Sequence, residues 1–326
     1  MNQVLIDKVD ILENTIYKID KDLLEILLID HSTKGNIRWC TNNYSKHGNE
    51  YSFSEPIIPR LITGKHGNII KPRSKKSNLE KKIRIREKAE VFTPSWACNI
   101  QNNQVDEIWF EKKNVFNRMK NLTWVTNYNK VIFEKKSWID YINEKRIEIS
   151  CGEAPYVVSR YDTVSGNPIN VVDRIGILDR KIRVINENSN DLEWFDNVLT
   201  AYKSVYGFEW QGDSLLIARE NLLYTFIDYY LNRFNSMPDI LKLKEVANVI
   251  SWNFFQMDGL KGVVPESCNN RKVIQYDLFG EEVTEKCFGC ENSILSKHNG
   301  IYALIKDWEN DKTIKFIDII SGRSKK

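Results

Sequence analysis

The hydrophobic pattern divides the 326 residues into a helical opening, a charged middle stretch and a longer part where helices and short strands alternate. In IDKDLLEILLID, Leu23, Leu24, Ile26, Leu27 and Leu28 recur at helical spacing and predict a helix or a buried segment. NIRWCTNNY predicts a short strand running into a turn, and Tyr51 to Arg60, with Pro56 and Pro59, reads as irregular. Gly64, Gly67 and Pro72 mark loops ahead of LEKKIRIREKAEVF, and SWIDYINEKR predicts a helix. From residue 147 the alternation begins. RIEISCGEAPY predicts a short strand entering a turn of small residues, and LEWFDNVLTAYKSVYGFEWQGD predicts a helix and then a strand ending at Glu209. SLLIARENLLYTFIDYYLNRF predicts a long helix, LKLKEVANVISWNFFQMDG a helix turning into a strand that ends at Asp258, and IKFIDIIS a closing strand. Strands separated by helices predict an α/β fold with a parallel, doubly wound sheet. The expected organisation is an N-terminal α+β module over 1–64, a basic segment over 65–90, and an α/β domain over 91–326 with a cysteine-containing insertion at 262–300.

Composition narrows the class. With 42% hydrophobic residues and only 15 Gly and 8 Pro, the chain is neither disordered nor collagen-like, and it can bury a sizeable core. No apolar run approaches the roughly 18 residues that span a bilayer. The opening MNQVLIDKVDILEN lacks the apolar stretch of a secretory leader, and six cysteines are too sparse for a disulfide scaffold. These features point to a soluble, cytoplasmic protein without a membrane partner. The net charge of +3 conceals an asymmetry: between Lys65 and Lys88 stand ten Lys or Arg and two acids, Glu80 and Glu87. Lys71, Arg73, Lys75, Lys76, Lys81, Lys82, Arg84 and Arg86 are therefore candidates for contact with a nucleic-acid backbone, DNA first. A solvated linker kept soluble by its charge is the alternative, and the two readings are compatible.

Three strand ends carry chemistry that suits a nucleoside. After the first strand, Ser150, Cys151, Gly152 and Ala154 would let a ligand approach the backbone closely. Glu209, at the end of the second, could grip both ribose hydroxyls, with Trp210 offering a stacking face. Asp258, after the third, could accept a hydrogen bond from an exocyclic amine. Ordinary strand-to-helix turns with solvated acids would look the same one at a time; three in order are more specific.

With these residues in place, the chain resembles the adenine-amino DNA methyltransferases of restriction–modification systems, and among them the proteins called restriction endonuclease subunit M. AEVFTPSW resembles the segment that precedes the sheet there, which implies that Phe92, Thr93 and Pro94 flank an S-adenosylmethionine pocket. IEISCGEAPY is similar to the first-strand motif Asp-Pro-Ala-Cys-Gly-Ser-Gly, implying that Glu148, Cys151, Gly152 and Ala154 line the methionine end. VYGFEWQGDSLLIARENLL and SWNFFQMDGL resemble the second and third motifs, with Glu209 on the ribose and Asp258 near the adenine. The resemblance spans about residues 85–320 and implies a Rossmann-like class I methyltransferase sheet, incomplete here, with an N-terminal extension. It departs in two places. Glu153 and Ala154 replace the preferred Ser and Gly, and no Asn-Pro-Pro-Tyr or Asp-Pro-Pro-Tyr, the tetrapeptide that holds a flipped adenine, occurs in the sequence. KFIDIISG looks like the strand that would lead into it. In a permuted arrangement Asn42 and Tyr44 are weak catalytic candidates, although their spacing is one residue short and both prolines are missing. The resemblance implies a phage-defence or restriction setting. The chain would be either an enzyme moving a methyl group to adenine, or a non-catalytic DNA-binding or partner protein whose missing loop comes from a second subunit.

A second constellation is Cys287-Phe-Gly-Cys290 followed by His298, with Cys268 upstream. Together these four could form a tetrahedral zinc site, structural because no coordination position stays open for water; free thiols with a surface His298 are the alternative. Asp173, Arg174, Asp179, Arg180, Lys181 and Arg183 read as a charged, solvated face or as a substrate contact. Arg160 and Tyr161 are candidates for the methionine carboxylate, against an ion pair with Asp162. His31, His47 and His66 lie in polar contexts, and Cys40 and Cys98 read as small buried apolar residues. No nuclease set of the Asp…Glu-x-Lys or His-Asn-His kind is apparent.

Overall fold

The computed structural model describes residues 13–88, 93–268, 271–276 and 282–322. It is a mixed α/β chain, rich in helix, with small sheets. Helix α1 spans Glu13–Ile19 and α2 spans Lys21–Leu28; the Asp20 carboxylate starts α2 by accepting the Asp22 N–H at 2.7 Å. The leucines at 23, 24, 27 and 28 fall on one face and are fully buried. The short strands β1 (Ile29–Asp30) and β2 (Gly35–Asn36) follow, and then the helices α3 (Pro59–Ile62) and α4 (Asn78–Lys88). Residues 37–40 then run extended against 53–57 through the pairs Ile57 N–H to Ile37 O, Trp39 N–H to Glu55 O and Cys40 N–H to Phe53 O. The proline-bearing stretch read as irregular therefore has a partner.

A central parallel sheet holds β5 (Arg146–Glu148), β6 (Val205–Glu209) and β7 (Phe254–Gln256), with β6 in the middle. Its register pairs Arg146 with Val205 and Glu209 with Gln256. Between β5 and β6 lie α7 (Ile177–Asn188) and α8 (Trp194–Lys203); between β6 and β7 lie α9 (Gly212–Phe234) and α10 (Ile240–Asn253). The strands with α8, α9 and α10 match the expected alternation, while α7 forms on a run with no helical expectation. Side chains of successive residues separate to the two faces: Phe254 joins the main core, which runs from Ile16 through the helices, while Phe208 and Phe255 join a second cluster with Met257, Ala303 and Ile305. The main core is shared by residues on both sides of position 64. Helix α2 lies against α10, so the opening helices are built into the body of the fold. No helix among the described residues is long and apolar enough to cross a membrane.

Three expectations are corrected. The closing strand is not on the parallel sheet. β11 (Lys312–Lys315) pairs antiparallel with β10 (Leu304–Asp307), and Phe316–Ile320 is helix α12. The hairpin satisfies the backbone of KTIK locally, and its Ile305 covers the second face of the sheet. Ser95–Phe110, in a stretch without a helical expectation, forms helix α5; it buries Asn99, Asn102 and Asp106, so its inner face is polar and carries no apolar periodicity. The hairpin β3 (Asn117–Lys120) and β4 (Thr123–Thr126) follows, then α6 (Trp138–Asn143) as expected.

The third correction concerns the charged run at 173–183. Asp179, Arg180 and Lys181 of α7 are buried and dock neighbouring elements. Arg180 donates to Asp106 at 2.5 Å and to Asn99 at 2.7 Å, Lys181 donates to the Ile142 carbonyl at 3.1 Å, and Asp179 accepts the Ser159 N–H at 2.8 Å. Burial pushes the Lys181 ammonium down to about 7. Arg160 pairs with Asp228 at 2.9 Å, alongside Arg174 at 2.6 Å, while Asp162 instead caps Ser95.

Arg219, fully buried on α9, donates to four carbonyls: Leu27 at 2.6 Å, Ile29 at 2.9 Å, Ser251 at 3.0 Å and Phe254 at 2.6 Å. It joins the end of α2 to the start of β7. Burial lowers its pKa to about 10, which leaves it charged at neutral pH. Arg219→Met keeps most of the volume and strands these carbonyls. We expect a loss of about 3 kcal/mol or more, measured as a lower urea midpoint; a loss under about 1 kcal/mol would remove Arg219 as the tie between these elements.

Candidate functional site

At the carboxyl ends of the parallel strands the loop after β5 turns tightly, with Ser150, Gly152 and Ala154 all at positive φ (50°, 54° and 61°). Glu209 clasps this loop. Its Oε2 accepts the Gly152 N–H at 2.9 Å, and its Oε1 accepts the N–H groups of Trp210 at 2.9 Å and Gln211 at 3.1 Å. Three of about four lone-pair positions on the carboxylate are thus used. Burial raises the Glu209 pKa against these three stabilising bonds. Trp210 is half-buried, and its carbonyl accepts from Gln256 at 2.8 Å. Cys151 is buried beside the two acids, and burial first, then their charge, pushes its thiol well up.

Glu148 differs from the other two acids. Burial drives its carboxyl well above the usual carboxylate range, although the N–H groups of Tyr156 and Val157 favour the charged form. Its Oε2 is buried and has no hydrogen-bond partner. Such an orphan normally costs free energy. Thr93 and Pro94 start α5; the Thr93 carbonyl accepts from Thr163 at 3.1 Å. Cys98, four residues past Pro94, has its thiol raised by burial and then by Glu148, which places the start of α5 beside that carboxyl. Phe92 lies outside the described residues. Asp258 folds back on its own turn: it accepts the Leu260 N–H at 2.9 Å and faces Lys261 at 3.6 Å.

The N-terminal loop and the basic segment close over the same end of the sheet. The Gln256 side chain bonds both to the Arg38 N–H and to the Arg38 carbonyl, each at 2.8 Å, and the Gly212 N–H reaches the Trp39 carbonyl at 3.1 Å. A Cβ at Gly212 would stand 2.0 Å from the Arg38 oxygen, so only glycine permits this approach. Asp213, next along α9, accepts the Tyr44 hydroxyl at 2.7 Å, and it pairs with Arg84 at 2.8 Å and Lys76 at 3.6 Å. Tyr44 is thus buried as a structural partner, while Asn42 is exposed and its carbonyl closes a turn with Ser45 at 2.8 Å.

Of the cations expected to meet nucleic acid, Lys76 and Arg84 are buried and together pair with Asp213. Lys71, Lys75, Lys82 and Arg86 are exposed, and Arg73 and Lys81 are half-buried. The Arg73 N–H also reaches the Glu153 carboxylate at 2.6 Å, so the unusual Glu153 of the loop anchors the basic segment. Sequence reasoning missed Asp213 and Glu153 as these anchors. No local signal marked them, because their partners in the basic segment lie 80 or more residues away in the chain. Among the histidines, His31 stacks on Trp252 at 3.6 Å, and burial lowers its pKa to about 3, so it is a neutral packing group.

The metal-type constellation is assembled. Cys268, Cys287, Cys290 and His298 bring their ligand atoms within 4.8 Å of one another, a group that could hold a metal ion. The His298 Nδ1 stands 3.5, 3.6 and 3.5 Å from the sulfurs of Cys268, Cys287 and Cys290. For a tetrahedral centre with metal–sulfur and metal–nitrogen bonds of about 2.3 and 2.0–2.1 Å, the sulfur–nitrogen edge is about 3.6 Å. Cys287 caps the short helix α11 (Phe288–Asn292), in which Cys290 lies. A Cβ at Gly289 would fall 2.6 Å from the His298 nitrogen, so the knuckle depends on that glycine. The Asn299 N–H approaches the Cys287 sulfur at 3.3 Å, and the Tyr302 hydroxyl receives the His298 N–H at 2.9 Å. His298 is 9% exposed, which sets aside the surface-histidine alternative.

No protein-family model, curated protein or solved structure matches the chain. What is established is an α/β chain with three acids near the ends of three parallel strands and a group of three cysteines and a histidine able to hold a metal.

Asp213 yields a pH prediction. Burial opposes its ionisation, but Arg84 and Lys76 hold its pKa at about 2, below the usual 3.8. A depressed carboxylate contributes stability above the unfolded pKa and loses it as pH falls through the folded value. About 2 kcal/mol should therefore disappear between about pH 4 and pH 2. Urea unfolding over that range should show this component in the wild type and not in Asp213→Asn; equal slopes would refute the assignment.

Proposed function

We propose that this chain is an S-adenosylmethionine-binding protein of the DNA adenine-methyltransferase type, acting in restriction–modification or phage defence, with a structural zinc ion in the cysteine–histidine group. The observation that carries the cofactor reading is the buried, partnerless Oε2 of Glu148 at the end of the first parallel strand. Ligands of open parallel sheets bind at these ends. The methionine ammonium of the cofactor would satisfy that oxygen, the free lone pair of Glu209 would take a ribose hydroxyl, and Asp258 would lie toward the adenine. When bound, the cofactor supplies the methyl group.

Binding is favoured over catalysis by this chain alone. The sequence contains no Asn-Pro-Pro-Tyr. The stretch expected to lead into it is α12, and Tyr44 is committed to Asp213. On this reading a second subunit would supply the adenine-holding loop.

Calorimetry with S-adenosylmethionine tests the pocket. The wild type should bind at micromolar strength, and Glu148→Ala should weaken binding at least about tenfold with its circular dichroism unchanged, about 1.4 kcal/mol. At a hundredfold excess over Kd the ligand should stabilise the fold by about 2.7 kcal/mol. No binding up to millimolar ligand would overturn the cofactor reading.

The zinc reading rests on the near-equal nitrogen–sulfur edges. Metal analysis of the purified chain should find one zinc ion per molecule, lost in the Cys287→Ser/Cys290→Ser variant. Substoichiometric metal in protein purified without chelator and supplied with zinc would count against it.

A further inference from the structure

A cleft of about 350 Å³ opens between the N-terminal loop and the basic segment, and no residue of the loop that Glu209 clasps lines it. Two stretches far apart in sequence build it: Asn43 to His47 on one side, and Ile69 to Arg84 on the other. Its lining carries four cations, Lys46, Lys71, Lys76 and Arg84, against one acid, Glu80, which is engaged by the Ser77 N–H and hydroxyl at 2.8 Å each. Asp213 does not line it. Apolar surface from Ile69 and Leu79 completes the wall.

One group in the cleft lacks what its chemistry demands. The Lys76 side chain is 7% exposed, and its ammonium makes no hydrogen bond; its ion pair with Asp213, at 3.6 Å, is too long for one. An ammonium carries three donors, and leaving them unmet in a buried position is costly. Lys46 and Lys71, both exposed, stand on the same cleft. Converging cations around an unmet ammonium suit an anion with several acceptor oxygens, and the volume is within the range of nucleotide-sized ligands.

We infer that this cleft is a phosphate-binding subsite that takes a phosphate group of a nucleotide or of a nucleic-acid strand, with Lys76 at its buried end and Lys46 and Lys71 at its mouth. The inference does not rest on the cofactor reading, since it uses none of the strand-end acids.

The test uses the full chain and measures binding of a fluorescent single-stranded DNA oligonucleotide, with unlabelled dAMP and inorganic phosphate as competitors. The Lys46→Ala/Lys71→Ala variant removes two exposed cations from the cleft, and Lys75→Ala/Lys82→Ala removes two exposed cations outside it. The cleft variant should weaken binding at least about tenfold and flatten the salt dependence by about two charges, with the control changing less than about threefold. Lys76→Met, checked for folding by circular dichroism, should weaken binding as well. Direct binding of dAMP, read by calorimetry and weakened in the cleft variant, without binding of the strand identifies a free nucleotide as the source and supports the subsite. Equal losses in the cleft variant and the control show a diffuse basic surface and overturn it, as does the absence of binding by strand, dAMP and phosphate alike.

Discussion

Polar side chains on a helix buried on nearly every side are costly without partners, and four of those on α9 find theirs in a way that organises the molecule. From Gly212 to Tyr229 every one of its residues is buried. Asp213 at its start holds Tyr44, Arg84 and Lys76; Arg219 ties α2 to β7; Asn221 reaches the Glu153 carbonyl and the Tyr161 hydroxyl, each at 3.1 Å; and Asp228 gathers Arg160 and Arg174. Each polar group thereby fixes a different segment of the chain against the same axis. Breaking one such contact would leave a buried charge or carbonyl unmatched, a larger penalty than the contact's own net worth.

This arrangement explains why the N-terminal residues and the basic segment converge on the carboxyl ends of the strands. β6 ends at Glu209 and α9 begins at Gly212, so the acid that clasps the loop after β5 and the acid that gathers the cations are four residues apart. Glu209 faces the backbone of the sheet, whereas Asp213 faces side chains from Tyr44, Lys76 and Arg84. The two acids thus hold different neighbours, the loop backbone on one hand and side chains of the basic segment on the other. On the other side of the sheet, the hairpin β10–β11 covers Phe208 and Phe255, and the Val263 bridges to Asp258 and Tyr302 link the end of β7 to the metal-type group.

Much of the fold was legible because apolar periodicity records burial directly. The helices α8, α9 and α10 and the strands β6 and β7 stand where the pattern put them. Helix α5 was illegible for the converse reason: its inner face is Asn99, Asn102 and Asp106, which satisfy Arg180, Asn117 and backbone carbonyls, and no apolar period marks it. The charged run of α7 misled in the same way, since a charge in sequence looks solvated until its partner is known. IKFIDIIS carries strand-like composition, but hairpin pairing consumes its first residues and the rest close into a helix.

Residue type and local spacing were enough to place the alternation of helices and strands, the acids at the strand ends and the four metal-type ligands. They also located the excess of positive charge. Folding alone settles which cations face solvent and which neutralise Asp213, that Glu209 turns onto the backbone while Glu148 keeps an oxygen unmatched, and that Cys268 meets a knuckle 19 residues away. Those outcomes depend on partners distant in the chain, and the low dielectric of the interior makes each pairing decisive.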